Sequence, residues 1–346
     1  MKYYDVFFDN DGAHEPLTIK GNIDVSKITD DRAALETVKE FMRGAIEKCL
    51  REPVGDMKYK FVVPGAEYQD LWDWDSFFMC CALPDSKLDY AEGTIKGLLD
   101  AAGENGQSAK MVTRDGKILR NPQTIPILAQ FTYIVSKRMN DFSWVGVYWD
   151  KLERVMEYYD NTFMRNGFYI WLQWNGIDNN PSLYGQEPNT VAGADLAAWI
   201  YRELKAMEKL SAKLGREREG FYAQKAESLK KFIQNNYFDY ADGFFYDVLR
   251  NTDNVKIPKM FQAIKWNTFI KFKNWSSVFP LWGKAASCEQ AAEVVKKMML
   301  PDEFLSCCGI RSHSKNDMVY NNEPMGNPSN WQGPVWGLST FLTAYS

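Results

Sequence analysis

Leu71-Trp72-Asp73-Trp74-Asp75-Ser76-Phe77-Phe78-Met79-Cys80-Cys81-Ala82-Leu83 joins a short run of indoles and carboxylates to a segment that is apolar on every side. A helix with one wet face shows apolar residues only every third or fourth position, whereas a helix apolar all round is enclosed by other elements. Phe77 to Leu83 is of the enclosed kind, and the following segment, 86–102, carries a charged face. The same alternation continues in both directions. Segments 30–51, 86–102, 147–164, 217–235 and 287–299 are amphipathic. They alternate with charge-poor segments that include Ile127-Leu128-Ala129, Val278-Phe279-Pro280-Leu281 and Val335-Trp336-Gly337-Leu338. Outer and inner helices in turn describe an α/α barrel. The expected class is all-α, an (α/α)6 barrel either closed or incomplete, because the repeated β-branched strands of a parallel-sheet fold are absent.

The spacing predicts helices over 75–83, 86–102, 126–139, 147–164, 190–214, 217–235, 276–283, 287–299 and 334–346. Segment 190–214 is the clearest, with Leu196, Ile200, Leu204, Met207 and Leu214 on one stripe. Thr29 or Asp30 caps the earlier helix, whose apolar face is Leu35, Val38, Met42, Ile46 and Cys49, and Pro53 follows its end. Extended pieces are expected at 169–173 and at 244–248, after the Asp242-Gly243 turn. Residues 1–28 read as an irregular or short-strand lead-in, and 29–346 as one domain, since no composition break divides them.

Composition removes several kinds of chemistry. Lys and Arg total 41 against 45 Asp and Glu, with no basic cluster interleaved with aromatics, so nucleic acid is not expected as a partner. No segment approaches the ~18 uninterrupted apolar residues of a membrane span, and Met1 to Asp11 lacks the apolar core of a signal peptide. The six cysteines include two adjacent pairs and no CxxC spacing, which favours reduced thiols in a cytoplasmic protein. Only His14 and His313 are present, so neither a His-rich metal centre nor a paired-histidine epimerase can be built; no metal and no organic cofactor is expected. Carboxylates and aromatics remain, with 12 Trp, 18 Tyr and 21 Phe. Sugars use both: their C–H faces stack on rings while carboxylates do acid–base work.

Each inner helix is preceded by a loop of Trp, Asp, Asn or Gln. The loops are 71–75, 121–126, 174–181 (Trp174-Asn175-Gly176-Ile177-Asp178-Asn179-Asn180-Pro181), 273–275 and 330–334 (Asn330-Trp331-Gln332-Gly333-Pro334). If the inner helices run parallel, these loops converge at one end of the barrel, where free helix N–H groups suit oxygen-rich ligands. Asp and Asn in such places are also ordinary N-caps, but capping does not account for the repeated Trp.

Three of these loops, in order, resemble motifs of the trehalase, glucosidase I and mannosylglycerate hydrolase type of glycoside hydrolase, a family-63-like group. Tyr68 to Ser76 is similar to their Trp-Asp-Ser segment, Gly176-Ile177-Asp178-Asn179-Asn180-Pro181 to their Ser-Gly-x-Asp-Asn-Ser-Pro motif, and Asn330 to Trp336 to their Trp-Arg-Gly-Pro-Val-Trp segment. Asp195-Leu196-Ala197-Ala198-Trp199 also matches in kind. The resemblance implies an inverting glycosidase acting on an α-linked glucoside or related small sugar conjugate, with Asp178 as general acid. It further implies Trp74, Asp75, Gln123, Trp174, Asn179, Trp331 and Gln332 around the sugar. Trp174, Ser182 and Gln332 depart from the family's usual Glu, Arg and Arg, and Gln123 stands one residue early, which leaves the exact sugar open.

The implied base is a Glu several tens of residues beyond the Trp-x-Gly-Pro-x-Trp segment. Here that segment ends at Trp336 and the sequence at Ser346, so the expectation is a chain that needs a further segment, or self-association, to complete its barrel. Glu323 is the in-chain substitute, with Glu187 behind it. The alternative to an enzyme is a domain that binds sugar without efficient turnover.

Overall fold

A computed structural model of the chain describes residues 29–172, 175–250, 267–323 and 329–346. The expected lead-in at 1–28 and the candidate Trp174 lie outside the described residues. In chain order the elements are α1 (Asp31–Glu47), β1 (Leu50–Arg51), β2 (Phe61–Val62), β3 (Leu71–Trp72), α2 (Trp74–Ala82), α3 (Leu88–Ala101), β4 (Met111–Val112), β5 (Ile118–Leu119), α4 (Leu128–Met139) and α5 (Trp149–Phe163). Then follow β6 (Met164–Arg165), β7 (Phe168–Trp171), β8 (Val191–Ala192), α6 (Ala194–Leu214), α7 (Glu219–Asn236), β9 (Phe238–Asp239), β10 (Phe244–Phe245), β11 (Asp247–Arg250) and β12 (Asn267–Ile270). The last are α8 (Phe279–Trp282), entered through a 3-10 turn at Trp275–Val278, α9 (Cys288–Met298), β13 (Leu305–Ser306), β14 (Gly309–Ile310) and α10 (Gly337–Tyr345).

The enclosed helices meet around an aromatic cluster at the barrel's centre. Phe77 and Phe78 of α2 reach Phe131 of α4 (5.3 Å between ring centroids), Trp199 of α6 (6.1 and 6.0 Å) and Trp282 of α8 (6.1 Å). Most of these contacts are edge-to-face, the arrangement aromatic rings prefer. Helix α6 carries the burden predicted by its periodicity: Leu196, Ala197, Ile200, Leu204 and Met207 are fully buried. It touches α4, α7 and α8. Arg202 and Glu203 on α6 lock this centre, for the Arg202 guanidinium lies 3.6 Å from the Trp282 ring centre. The Glu203 carboxylate accepts hydrogen bonds from the N–H groups of Ala129 and Gln130 (2.8 and 2.9 Å), capping α4 from outside its own sequence. By contrast α1 has no buried residue, and Leu35, Val38 and Met42 on its apolar face are exposed.

All-α is too narrow a description. Strands β12, β11, β8, β7 and β6 form a five-stranded antiparallel sheet, and β3, β4 and β5 a three-stranded one. Of the expected extended pieces, 169–171 lies in β7 and 244–248 takes in β10 and the start of β11, while Gln173 lies outside the described residues. The other strands carry no signal in the sequence, because strands of two to four residues are too short to display a period of two. Some pair across long separations, such as Leu71 with Val112. These strands have a purpose: β3 delivers Asp73 and Trp74 to the start of α2, and β7 and β8 flank the loop carrying Asp178.

Candidate active site

Strand β3 runs straight into α2, and Asp73 at the junction donates its N–H to the carbonyl of Lys110 (3.0 Å), which ties the turn to the β4 hairpin. Trp74 and Asp75 therefore open α2 from a supported position. Against Trp74 lies the backbone of Gly176, which has φ +84°. A side chain there would come within 2.9 Å of the indole and 2.8 Å of Ile125, so glycine alone fits this close approach. The loops around 74, 125 and 176 thus touch one another directly. The two C-terminal loops join the same cluster through their indoles. Trp331 packs 6.3 Å from Trp74, stacks parallel to Trp336 at 4.0 Å, and stacks on Trp275 at 5.3 Å. The described parts of all five candidate loops thus meet in one cluster.

The acid candidate sits in a loop tied down on both sides. Upstream, the Asn175 side chain accepts from the Ile177 N–H (3.1 Å) and donates to Asp195 (3.0 Å). Downstream, Asn179 accepts from the Trp331 N–H (2.7 Å) and donates to Asn330 (2.9 Å), while the Gln332 amide donates to the Asn179 carbonyl (3.0 Å). Asp178 lies between these anchors and is half-buried. Its charge is felt by Asp75, whose carboxyl is pushed up to about 6, chiefly by burial, with Asp178 adding to the shift and Lys110 opposing it.

Asp73 is not distinguished in the sequence. It is almost wholly buried, both carboxyl oxygens lack a hydrogen-bond partner, and burial followed by the charge of Asp75 pushes it up to about 8. Nothing in Trp-Asp-Trp-Asp separates the two carboxylates, since both read as caps or ligands. The sequence likewise marks Asp195 only as the start of a segment that matches in kind, yet its carboxylate is a hub beneath the acid's loop. A signal is available there: an Asp at the first turn of a long helix, two residues after a Gly that permits close approach.

Several expected sugar contacts are engaged otherwise. The Gln123 amide donates to the Ile170 carbonyl (2.8 Å) and accepts from the Leu172 N–H (2.7 Å), so it extends the edge of β7 and is spent on backbone. Trp331 is stacked on two other indoles, Trp275 and Trp336. Glu323 is exposed. Its backbone is held by Asn321 and by Asn330, the residue that also binds Asn179, and this puts it next to the acid's loop. Among the described residues no cluster of His, Cys, Asp or Glu could hold a metal ion, all six cysteines are free thiols, and no helix is long and apolar enough to cross a membrane.

The fold is shared with the family-63 mannosylglycerate hydrolase of Thermus thermophilus, solved in complex with glucose (14% identity, 88% of this chain and 86% of that one, TM-score 0.68). The same enzyme with Tris and D-glycerate gives 15% identity, the same coverage and a TM-score of 0.68. The neutral trehalase of Saccharomyces cerevisiae is also similar (15% identity, 86% of this chain and 66% of that one, TM-score 0.61). No curated protein matches by sequence. The profile of the mannosylglycerate hydrolase MGH1-like glycoside hydrolase domain, however, matches residues 68–346. The half-buried Asp178 and Asp75, set among converging indoles at the end of an α/α barrel, are thus carboxylates of a glycoside hydrolase domain, and the chain belongs to the MGH1-like family.

Proposed function

We propose that the chain is an inverting glycosidase for an α-linked glucoside or a related small sugar conjugate, with Asp178 as its general acid. The observation that carries this reading is the double anchoring of the Asp178 loop, by Asn175 on one side and by Asn179 on the other, beside Trp74 and Asp75. An acid that must deliver its proton to one glycosidic oxygen gains from being held, because small errors of placement are costly in rate. The sugar in the cleaved subsite lies against Trp74 with its hydroxyls donating to Asp75, and Asn179 and Gln332 border it. Ligands of the similar solved enzyme, glucose and D-glycerate, support a substrate of that size and polarity.

Inversion needs a second carboxylate on the opposite face of the ring, ~6.5–9.5 Å from the acid, to activate water. Glu323 is the candidate base of this chain, supported by its position on the loop that Asn330 links to Asn179. Free thiols support a cytoplasmic setting.

The test is Asp178→Asn in the full chain with a poorly activated alkyl α-glucoside, whose leaving group needs a proton, as substrate. Turnover should fall at least ~100-fold, the low end for losing a general acid. Glucose binding by calorimetric titration should persist, because Asn keeps the side chain's shape. Turnover at the wild-type rate rules Asp178 out.

A further inference from the structure

Asp195 and Asp247 are buried carboxyls that the proposed chemistry does not use. Asp195, in the first turn of α6, accepts three hydrogen bonds: from the indole N–H of Trp171 (2.8 Å), from the Asn175 amide (3.0 Å) and from the Leu196 N–H (2.6 Å). Burial pushes this carboxyl up, and the three converging donors work against that and favour its ionised form. Asp247, on β11, accepts from the Ala194 N–H (2.9 Å) and faces the Ser182 hydroxyl. Asn175 and Ser182 are the two ends of the loop whose middle is Asp178. One pair of carboxyls, rooted in a long helix and a central strand, thus holds both ends of the acid's loop.

The approach to this pair is specific. Gly193, next to α6, leaves room for the Trp171 indole, since a Cβ there would lie 2.2 Å from its Nε1. Asn175 then has its NH2 group turned to Asp195 and its Oδ1 turned to the Ile177 N–H, which closes the turn that presses Gly176 on Trp74. Reversing that amide would break both bonds at once.

We propose that Asp195 is the positioning residue of the general acid: through Asn175 it fixes the register of the 175–182 loop, with Asp247 fixing the far end, and so sets where the Asp178 carboxyl meets the glycosidic oxygen. This rests on the reading of Asp178 as the acid. Asp195 touches neither sugar nor reacting atoms; it acts through Asn175.

The donor–acceptor order permits an exchange. In Asp195→Asn, Oδ1 still serves Trp171 and Leu196, but an NH2 group replaces Oδ2 and faces the NH2 of Asn175. In Asn175→Asp, two carboxylates face each other. In the double variant Asp195→Asn/Asn175→Asp the order is restored with its direction reversed: position 195 donates, and position 175 accepts from it and from Ile177. A cycle of this kind isolates the pairwise coupling.

The experiment measures kcat and KM for a poorly activated alkyl α-glucoside, glucose binding and thermal melting for all three variants and for Asp178→Asn. Each single variant should lower kcat about 10- to 100-fold, the scale of ~1 Å misplacement, with KM and glucose binding little changed. The double variant should recover at least about tenfold of that loss. Wild-type kcat in Asp195→Asn, or a folded double variant that regains nothing, overturns the proposal. If Asp195→Asn does not fold, Asn175→Ala cuts the same link from the loop side, and an unchanged kcat in that variant also overturns it. If Asp178→Asn turns over normally, the reading of the acid fails instead; if only Asp178→Asn is impaired, the positioning role alone fails.

Discussion

Asp73 is where local chemistry and fold stability meet most sharply. Its carboxyl is raised from 3.8 to about 8 by burial and by its neighbour Asp75, so the folded chain binds a proton there that the unfolded chain has released. Where the native state holds more protons, stability falls as pH rises. The contribution is complete below pH 3.8 and is lost as pH passes through about 8. Asp73→Asn keeps the shape without the proton. From pH 4 to 9 the variant should therefore gain at least ~2 kcal/mol relative to the parent, because each pH unit between the two titrations is worth about 1.4 kcal/mol. Denaturant melts across that range measure it, and parallel curves for the two proteins would contradict it. At this scale the sequence was informative where an indole or carboxylate stood in a recognisable string: Trp74, Asp75, Asp178, Asn179, Trp331 and Gln332 are brought into one cluster. It was silent where the partner is distant in sequence. Gln123 looks like a ligand until β7 comes alongside and takes both ends of its amide.

Among the elements, the long helices were legible because burial on one stripe repeats every three or four residues, and α3 to α7 and α9 fall within a few residues of expectation. Helix α8 is shorter than expected, because Trp275–Val278 forms a 3-10 turn and Pro280 cannot donate to the preceding turn. The ends of the inner helices depend on side chains from elsewhere. Helix α4 has no local cap, and Glu203 on α6 supplies both acceptors. Burial raises this carboxyl to about 7, and the two N–H groups oppose the shift. Glu203→Ala would leave two buried donors unpaired, at about 1–3 kcal/mol each, so a loss of roughly 2–6 kcal/mol is expected in urea unfolding. A loss below ~0.5 kcal/mol, within the range of ordinary surface substitutions, would show that α4 does not depend on this cap.

For the whole molecule, the alternation of enclosed and amphipathic helices sufficed to anticipate a barrel with its candidate loops at one end. The small sheets were beyond such a reading, since two-residue strands exist only once distant segments have met. What suits the barrel to catalysis is the division of labour between its two parts. Aromatic packing among α2, α4, α6 and α8 gives a rigid centre, and the sheet β6–β7–β8–β11–β12 flanks the acid's loop where Asp195 and Asp247 can reach it. The stereochemistry of cleavage tests the central claim most directly. Proton NMR of the full chain acting on an α-glucoside, read before mutarotation, should show the β anomer of glucose appearing first, as single displacement by water requires. The α anomer appearing first, or an equally rapid release by Asp178→Asn, would contradict the account.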